Sequence, residues 1–489
     1  MQKCNEFKFT DETIQSLFGF EDAESEPIER LKEYYFKKDT YNRVVSDLPI
    51  RILVGHKGTG KSALFKIAIN EEKEKENLPI LIKPDDIAEL GKSNENFLLK
   101  IRAWKFGLNK IIGTKVFNEF GIDDENTLVK LSRFGIKIMS FVTESVKALK
   151  DNIDLTSTQQ KLISDFLLKN KIIVYIDDLD RGWQGTKDDV NRISALLNAV
   201  RDMANENPGL HFKISLRSDV YYLVRTSDES TDKIEGAVVW FQWSNHEILI
   251  MLIKRILTYF EAEVDEHNLI TKPQKQISYH LSRVFESIFT GRGQWGNAPM
   301  YRVLMSLTRK RPRDIVKLCS LAAHNASQHN SNIINTDHLM NSFEEYSQGR
   351  IQDTINEYQS ELPNIEKLLF AMKPNKRQRQ TKDGYLYTTD ELLLKIRNIM
   401  TQNNFHFSDN RMAREKDLAH FLYKINFLTA RKTLEDGQIQ RKYFEESRYL
   451  FSTFVDFGYS WEVHPAFRWA LQPDKIDDLF ESIHLHSDD

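Results

Sequence analysis

Residues 55–62 read Gly-His-Lys-Gly-Thr-Gly-Lys-Ser, and this G-x-x-x-x-G-K-S stretch constrains the chain more than any other. It follows a mostly apolar run, Ile50 to Val54, and opens a helix-like segment, Ala63 to Ile69. Strand, glycine loop and helix in that order make a phosphate-binding loop. Glycines let the backbone curl until several N–H groups face inward, and the helix N-terminus adds partial positive charge there. The expected cradle is Gly55, His56, Lys57, Gly58, Thr59, Gly60, Lys61, Ser62 and Ala63. Lys61 is expected to reach the β- and γ-phosphates of a nucleotide, and the Ser62 hydroxyl to ligate Mg2+. The bland alternative is a plain glycine turn before a helix.

A second segment completes the pattern. Lys171 to Ile176 is nearly all apolar, as a buried parallel strand should be, and it ends in Asp177-Asp178-Leu179-Asp180-Arg181. Carboxylates at the C-terminal end of such a strand sit where open α/β sheets bind ligands. Asp177 is the expected Mg2+ ligand, directly or through water, and Asp178 the group that orients or deprotonates an attacking water. Leu210 to Leu216 reads as another strand, ending in Arg217-Ser218-Asp219. Arg217 there could sense a third phosphate or stabilise transition-state charge; an ion pair with Asp219 or Asp180 is the competing reading. Leu78 to Lys83 and Val238 to Phe241 complete five strand candidates.

The rest of the chain is mostly helical. Residues 1–45 hold a polar turn and a helix beginning near Pro27; residues 46–242 hold the nucleotide core. Residues 90–165 read as an all-helical insertion with no chemistry visible, and 243–348 as a helical lid. Within the lid, Arg309-Lys310-Arg311-Pro312-Arg313-Asp314 opens a helix. Cations at a helix N-terminus oppose its dipole unless an anion is present, so the site suits phosphate, a partner's carboxylate, or a solvated basic turn. From 349 to 489 the order helix (Glu391 to Met400), helix (Glu415 to Tyr423) and hairpin (Phe427 to Thr429, a turn at Asp436-Gly437, Tyr449 to Val455) is that of a winged-helix module. A basic stretch, Lys373 to Lys382, precedes it, and Trp461, His464, Phe467 and Trp469 look like a packing edge.

With 489 residues the chain can bury a sizeable core, and its net charge of −3 provides no global attraction to nucleic acid or acidic membranes. Two cysteines, Cys4 and Cys319, suggest neither a disulfide framework nor a metal set, and point to a reducing compartment. The opening residues are polar and acidic, unlike a signal peptide, and no apolar run approaches the ~20 residues of a membrane helix. The expected setting is cytoplasmic. No guanine-specific N/T-K-x-D motif is apparent, which favours ATP over GTP.

The five strands, with acids on the third and Arg on the fourth, resemble the P-loop ATPases that insert an additional strand between the Walker strands. The DDLDR acids, the Leu216-Arg217-Ser218-Asp219 strand end and the Arg311-Pro312-Arg313-Asp314 helix start resemble the KAP-type and signal-transducing (STAND-type) ATPases of bacteria. Phe18 to Glu24 resembles the short box those proteins place before the first strand to contact the adenine side, and His464 to Arg468 matches a C-terminal segment of one soluble branch. The resemblance implies an α/β P-loop NTPase core with a five-stranded, mainly parallel sheet, a helical insertion, a helical lid and a C-terminal winged-helix-like domain. It implies ATP and Mg2+ as ligands, Lys61, Asp178 and Arg217 as catalytic groups, and Pro312 and Arg313 at the nucleotide. KAP-type members carry transmembrane helices between the Walker motifs; this chain has a soluble insertion instead, so membrane association is not inherited.

Three functions fit. The first is a slow ATPase switch that controls a separately encoded protein effector, in antiviral defence by resemblance alone, alone or as a homo-oligomer. The second is a DNA-binding ATPase of initiator or loader type that uses the winged helix and the basic stretch. The third is a scaffold that binds ATP but barely hydrolyses it.

Overall fold

The computed structural model describes residues 7–91, 96–120, 138–149, 156–227, 229–375, 384–435, 439–447, 450, 458–472, 479 and 483–486. The chain folds into two compact units: one of residues 37–57 and 61–241, the other of residues 1–36, 58–60 and 242–489.

The first of these is built on a five-stranded sheet: β1 (Ile50–Val54), β2 (Leu78–Ile82), β3 (Ile172–Ile176), β4 (Leu210–Leu216) and β5 (Val238–Trp240). The spatial order is β2-β3-β4-β1-β5, and every pairing is parallel. β4 therefore lies between the strand that feeds the glycine loop and the strand that ends in Asp177. This is the P-loop NTPase fold with the additional strand expected from the sequence. Apolar side chains cover both faces of the sheet, and all five residues of β3 are buried. Parallel strands need such cover, because their crossover helices pack on both sides.

The helix Lys61–Glu74 crosses from β1 to β2 and buries Leu64, Phe65, Ile67 and Ala68. The helix Lys187–Glu206 connects β3 to β4; the Thr186 hydroxyl and the Asp189 carboxylate cap its start reciprocally. The insertion is helical, as expected: Phe97–Glu119, Ile138–Leu149 and Ser157–Lys169. Its first helix packs on Lys187–Glu206, with the Trp104 indole N–H donating to the Arg192 carbonyl at 3.1 Å. The helix expected from Leu128 is described from Ile138, and its earlier part lies outside the described residues.

The other unit is mainly helical. Asn245–Tyr259, Pro312–Gln328 and Thr336–Tyr358 are its longest helices. Two buried acids tie it together. Asp314 (1% exposed) bonds the Arg309 Nε at 2.8 Å and the Arg350 Nη1 at 2.9 Å. The two guanidinium groups hold its carboxyl far below the usual carboxylate range despite burial. Glu462 does the same for Arg441 at 2.7 Å, Arg468 at 2.6 Å and Arg431 at 3.4 Å. Towards the C-terminus come the helix Ile365–Ala371, a short strand Leu386–Tyr387, the helices Thr389–Met400 and Glu415–Lys424, and the hairpin Leu428–Thr433 with Ile439–Lys442. A further strand, Ser460–Val463, lies between Leu386–Tyr387 and the hairpin. The second strand of the hairpin is Ile439–Lys442, paired antiparallel with Ala430 to Thr433, rather than the expected Tyr449 to Val455. Apart from Leu450, that later segment lies outside the described residues, as do residues 376–383 of the basic stretch.

Candidate nucleotide site

Three neighbouring strands of the parallel sheet end at one edge. β1 runs into the glycine loop, and the Gly55 N–H continues the ladder by donating to the Leu216 carbonyl at the end of β4 at 3.1 Å. Gly58 and Gly60 have φ of +81° and +94°, in the left-handed region where a side chain is strained. The helix Lys61–Glu74 starts at the loop's lysine, and Ser62 is exposed at its first turn. The Lys61 ammonium donates to the carbonyls of Gly55 at 2.8 Å and His56 at 3.0 Å. The lysine is thus folded over its own loop.

At the end of β3, the Asp177 N–H donates to the Ile82 carbonyl at 3.3 Å, holding this residue to the sheet. Its Oδ1 accepts from the Ser215 hydroxyl and from the Asp178 N–H, the latter at 2.9 Å. These two donors orient the carboxylate through one oxygen, as the neighbours of a metal-ligating carboxylate commonly do. The donor set of one serine hydroxyl and one fixed carboxylate fits Mg2+, whose remaining positions are usually water and phosphate oxygens. Among the described residues no group of three or more His, Cys, Asp or Glu could hold a metal ion, and a Mg2+ site of this kind needs none.

Asp178 has φ +57°, unusual for a residue with a Cβ, and its side chain is exposed. Such strain persists where the surroundings over-determine it, commonly at functional sites. The turn that follows is closed by Arg181 N–H to the Asp178 carbonyl at 3.1 Å and Trp183 N–H to the Asp180 carbonyl at 3.0 Å. At the end of β4 the Arg217 guanidinium grips Asp219 with two nitrogens, Nε at 3.0 Å and Nη2 at 2.6 Å. Its Nη1 lies 3.5 Å from the Asp180 carboxylate. The ion pairs anticipated as an alternative for Arg217 are therefore formed. Asp180 is held above the usual carboxylate range: burial raises it, against the pull of Arg217 and Lys61, and Asp178 and Asp219 add to the rise.

In the mainly helical unit, which includes residues 58–60, the Arg313 N–H donates to the Gly58 carbonyl at 3.3 Å and the Trp243 indole N–H to the Thr59 carbonyl at 2.8 Å. Pro312 is the first residue of its helix, where a missing N–H costs nothing. The Arg313 Nε donates to the Glu21 carbonyl at 3.2 Å, inside the Phe18 to Glu24 box. That box is held from below: Glu26 accepts from the Phe20 N–H at 2.8 Å, and Arg255 donates to the Phe18 carbonyl. Gly19 (φ +79°) sits where an added Cβ would meet the Arg255 Nη1 at 2.6 Å, so only glycine fits the turn. His464 is buried, with its Nε2 2.9 Å from the Tyr443 hydroxyl, in the packing role expected of it.

The sequence did not single out Ser215, Asp180 or Asp219 for roles at the site. Ser215 had a readable signal, a hydroxyl residue set between Ile214 and Leu216 at the end of its strand. Asp180 and Asp219 were visible only as ion-pair partners.

Among known proteins, residues 266–355 match the family model of the FunZ-associated C-terminal helical domain. The chain is 22% identical, over 73% of its length, to the transposon gamma-delta 80.3 kDa protein of Escherichia coli (strain K12). It spans about half of that relative, 53% of its length. Among solved structures, the Aeropyrum pernix ORC2 protein (ADPNP–ADP complexes) is similar at TM-score 0.39 and 11% identity, over 88% of this chain and 86% of that one. The Aeropyrum pernix ORC1 protein in complex with DNA follows at TM-score 0.33 and 12% identity, over 92% of each chain. Structural likenesses this distant carry no weight here; the loop motif and the strand order establish the fold. Among the described residues no helix is long and apolar enough to cross a membrane.

Proposed function

We propose that this chain binds Mg2+-ATP at the loop of residues 55–63 and hydrolyses it slowly, as a molecular switch that regulates a protein partner. The observation that carries the reading is the convergence of three strand ends: Gly55 after β1, Asp177 after β3 and Arg217 after β4. In this reading the loop amides and Lys61 hold the phosphates, and Ser62 and Asp177 hold the Mg2+ that neutralises their charge. Asp178 orients the attacking water, and Arg217 stabilises the departing phosphoryl group. The partner is a separately encoded effector, and the defence role rests on the KAP and STAND resemblance alone. Phosphate release by the full chain tests this directly. The expected result is slow, Mg2+-dependent release that Asp177→Asn lowers at least about 100-fold, within the range that one preorganised electrostatic group is worth. Release unchanged in Asp177→Asn would overturn the assignment.

A second reading is a DNA-binding ATPase. The helix, strand, helix, helix, hairpin order near the C-terminus favours it, and so does the transposon in the relative's name. The local charge does not. The helix before the hairpin, Glu415–Lys424, carries Glu415 and Asp417 in its first turn and buries Lys424 against Glu361. Binding to duplex DNA that appears at low salt and falls steeply as salt rises would favour this reading. No duplex binding at low salt, with or without ATP, removes it.

A further inference from the structure

Resting on the ATP reading, the geometry points to Asp180 as the residue that sets the preference between a nucleoside triphosphate and a diphosphate. We propose that Asp180 stands in for the γ-phosphate: it is the acid that faces the cations the third phosphate would claim, and a triphosphate must displace it.

Three observations support this. First, Arg217 is already committed. Its Nε and Nη2 are fixed on Asp219, which has no exposed surface, so the guanidinium cannot swing freely. The Nη1 edge is presented to Asp180 at 3.5 Å, a loose contact beside a tight one. Second, the charged groups acting on Asp180 are Arg217 and Lys61, which attract it, and Asp178 and Asp219, which repel it. Lys61 and Arg217 follow adjacent strands and are the pair assigned above to the terminal phosphates. Third, Asp180 is anchored by its backbone, since its carbonyl accepts from the Trp183 N–H at 3.0 Å. A third phosphate drawn to the same Arg217 edge would meet this carboxylate, and like charges in close approach repel. A diphosphate ends short of it and is indifferent.

This differs from a catalytic role. A proton acceptor changes the rate of hydrolysis and leaves ground-state affinity alone. A structural brace, once removed, weakens both nucleotides together. A stand-in acid, once neutralised, tightens the triphosphate alone.

Equilibrium binding of the Mg2+ complexes of β,γ-imido-ATP and ADP to the full chain separates these. For Asp180→Asn the expected result is about tenfold tighter binding of the imido triphosphate, about 1.4 kcal/mol, with ADP within about twofold of the parent. Asp180→Glu keeps the charge and is expected to keep the parent's preference, which guards against a folding defect in the first variant. Unchanged or weaker triphosphate binding in Asp180→Asn, or equal shifts for both nucleotides, overturns the inference while leaving the ATP reading intact. A parent chain that binds neither nucleotide overturns both.

Discussion

Asp219→Asn is the perturbation in which stability and chemistry are most tightly joined. Asp219 is fully buried and accepts from two nitrogens of Arg217 at 3.0 Å and 2.6 Å, while Arg217 itself is 6% exposed. Replacing one oxygen by an amide removes the charge and turns one acceptor into a donor that faces a guanidinium. Breaking one partner of a buried, hydrogen-bonded pair costs about 3–5 kcal/mol, because the other charge is left uncompensated. Asp180, 3.5 Å from the Arg217 Nη1, offsets part of that, so the lower end, about 3 kcal/mol, is expected. Arg217 should also turn towards Asp180, and a displacement of about 1 Å in a positioned group can cost about 100-fold in rate. Urea unfolding followed by circular dichroism reads the first effect, with the two compact units analysed as separate transitions. Single-turnover ATP hydrolysis reads the second. Stability within about 0.5 kcal/mol of the parent, together with an unchanged single-turnover rate, would refute the view that Asp219 holds Arg217 in place.

Two further outcomes follow from buried charges elsewhere. Glu462→Gln removes the buried negative charge that Arg431, Arg441 and Arg468 share, so loss of about 3–5 kcal/mol is expected in the unfolding of the mainly helical unit, and a loss below about 1 kcal/mol contradicts the account of that cluster. Lys213, buried on β4 with its ammonium on the Ser46 carbonyl at 2.8 Å, is pushed down to about 7 by burial, with Arg51 and Lys171 adding to the effect and Glu72 and Asp47 opposing it. Below about pH 7 both folded and unfolded chains hold its proton, so the cost of burying the charge is full; the unfolded chain keeps that proton to about pH 10.4. Stability of the parent relative to Lys213→Met should therefore rise as pH climbs from about 7 towards 10, and a difference that is flat or falls over that window contradicts the assignment.

Much of the nucleotide core was legible because its signals are local. The loop at 55–62, the apolar run of β3 and the acids that end it each declare themselves within about ten residues, and all five strands lie where the pattern places them. The strand order was reachable only through family resemblance, since nothing in one strand's sequence names its neighbour. Arg217 shows where local reading stops. Its two alternatives differ by the direction of one guanidinium, and that direction is fixed by Asp219, two residues away, and by Asp180 in the turn after β3. The Asp314 and Glu462 clusters were invisible for the same reason: Arg350 lies 36 residues from Asp314, and Arg431 lies 31 from Glu462. In the C-terminal hairpin, Ile439–Lys442 alternates buried and exposed residues too briefly to stand out from the more apolar segment at 449–455.

The central claim is that the loop of residues 55–63 holds the phosphates of ATP through Lys61. Equilibrium binding of Mg2+-ATP to the parent and to Lys61→Ala tests it most directly. Losing the charge-assisted bonds of one lysine, at about 1.5–3 kcal/mol, predicts at least about tenfold weaker binding in a variant that folds like the parent. Equal affinity in the two proteins, or no ATP binding by the parent, would contradict it.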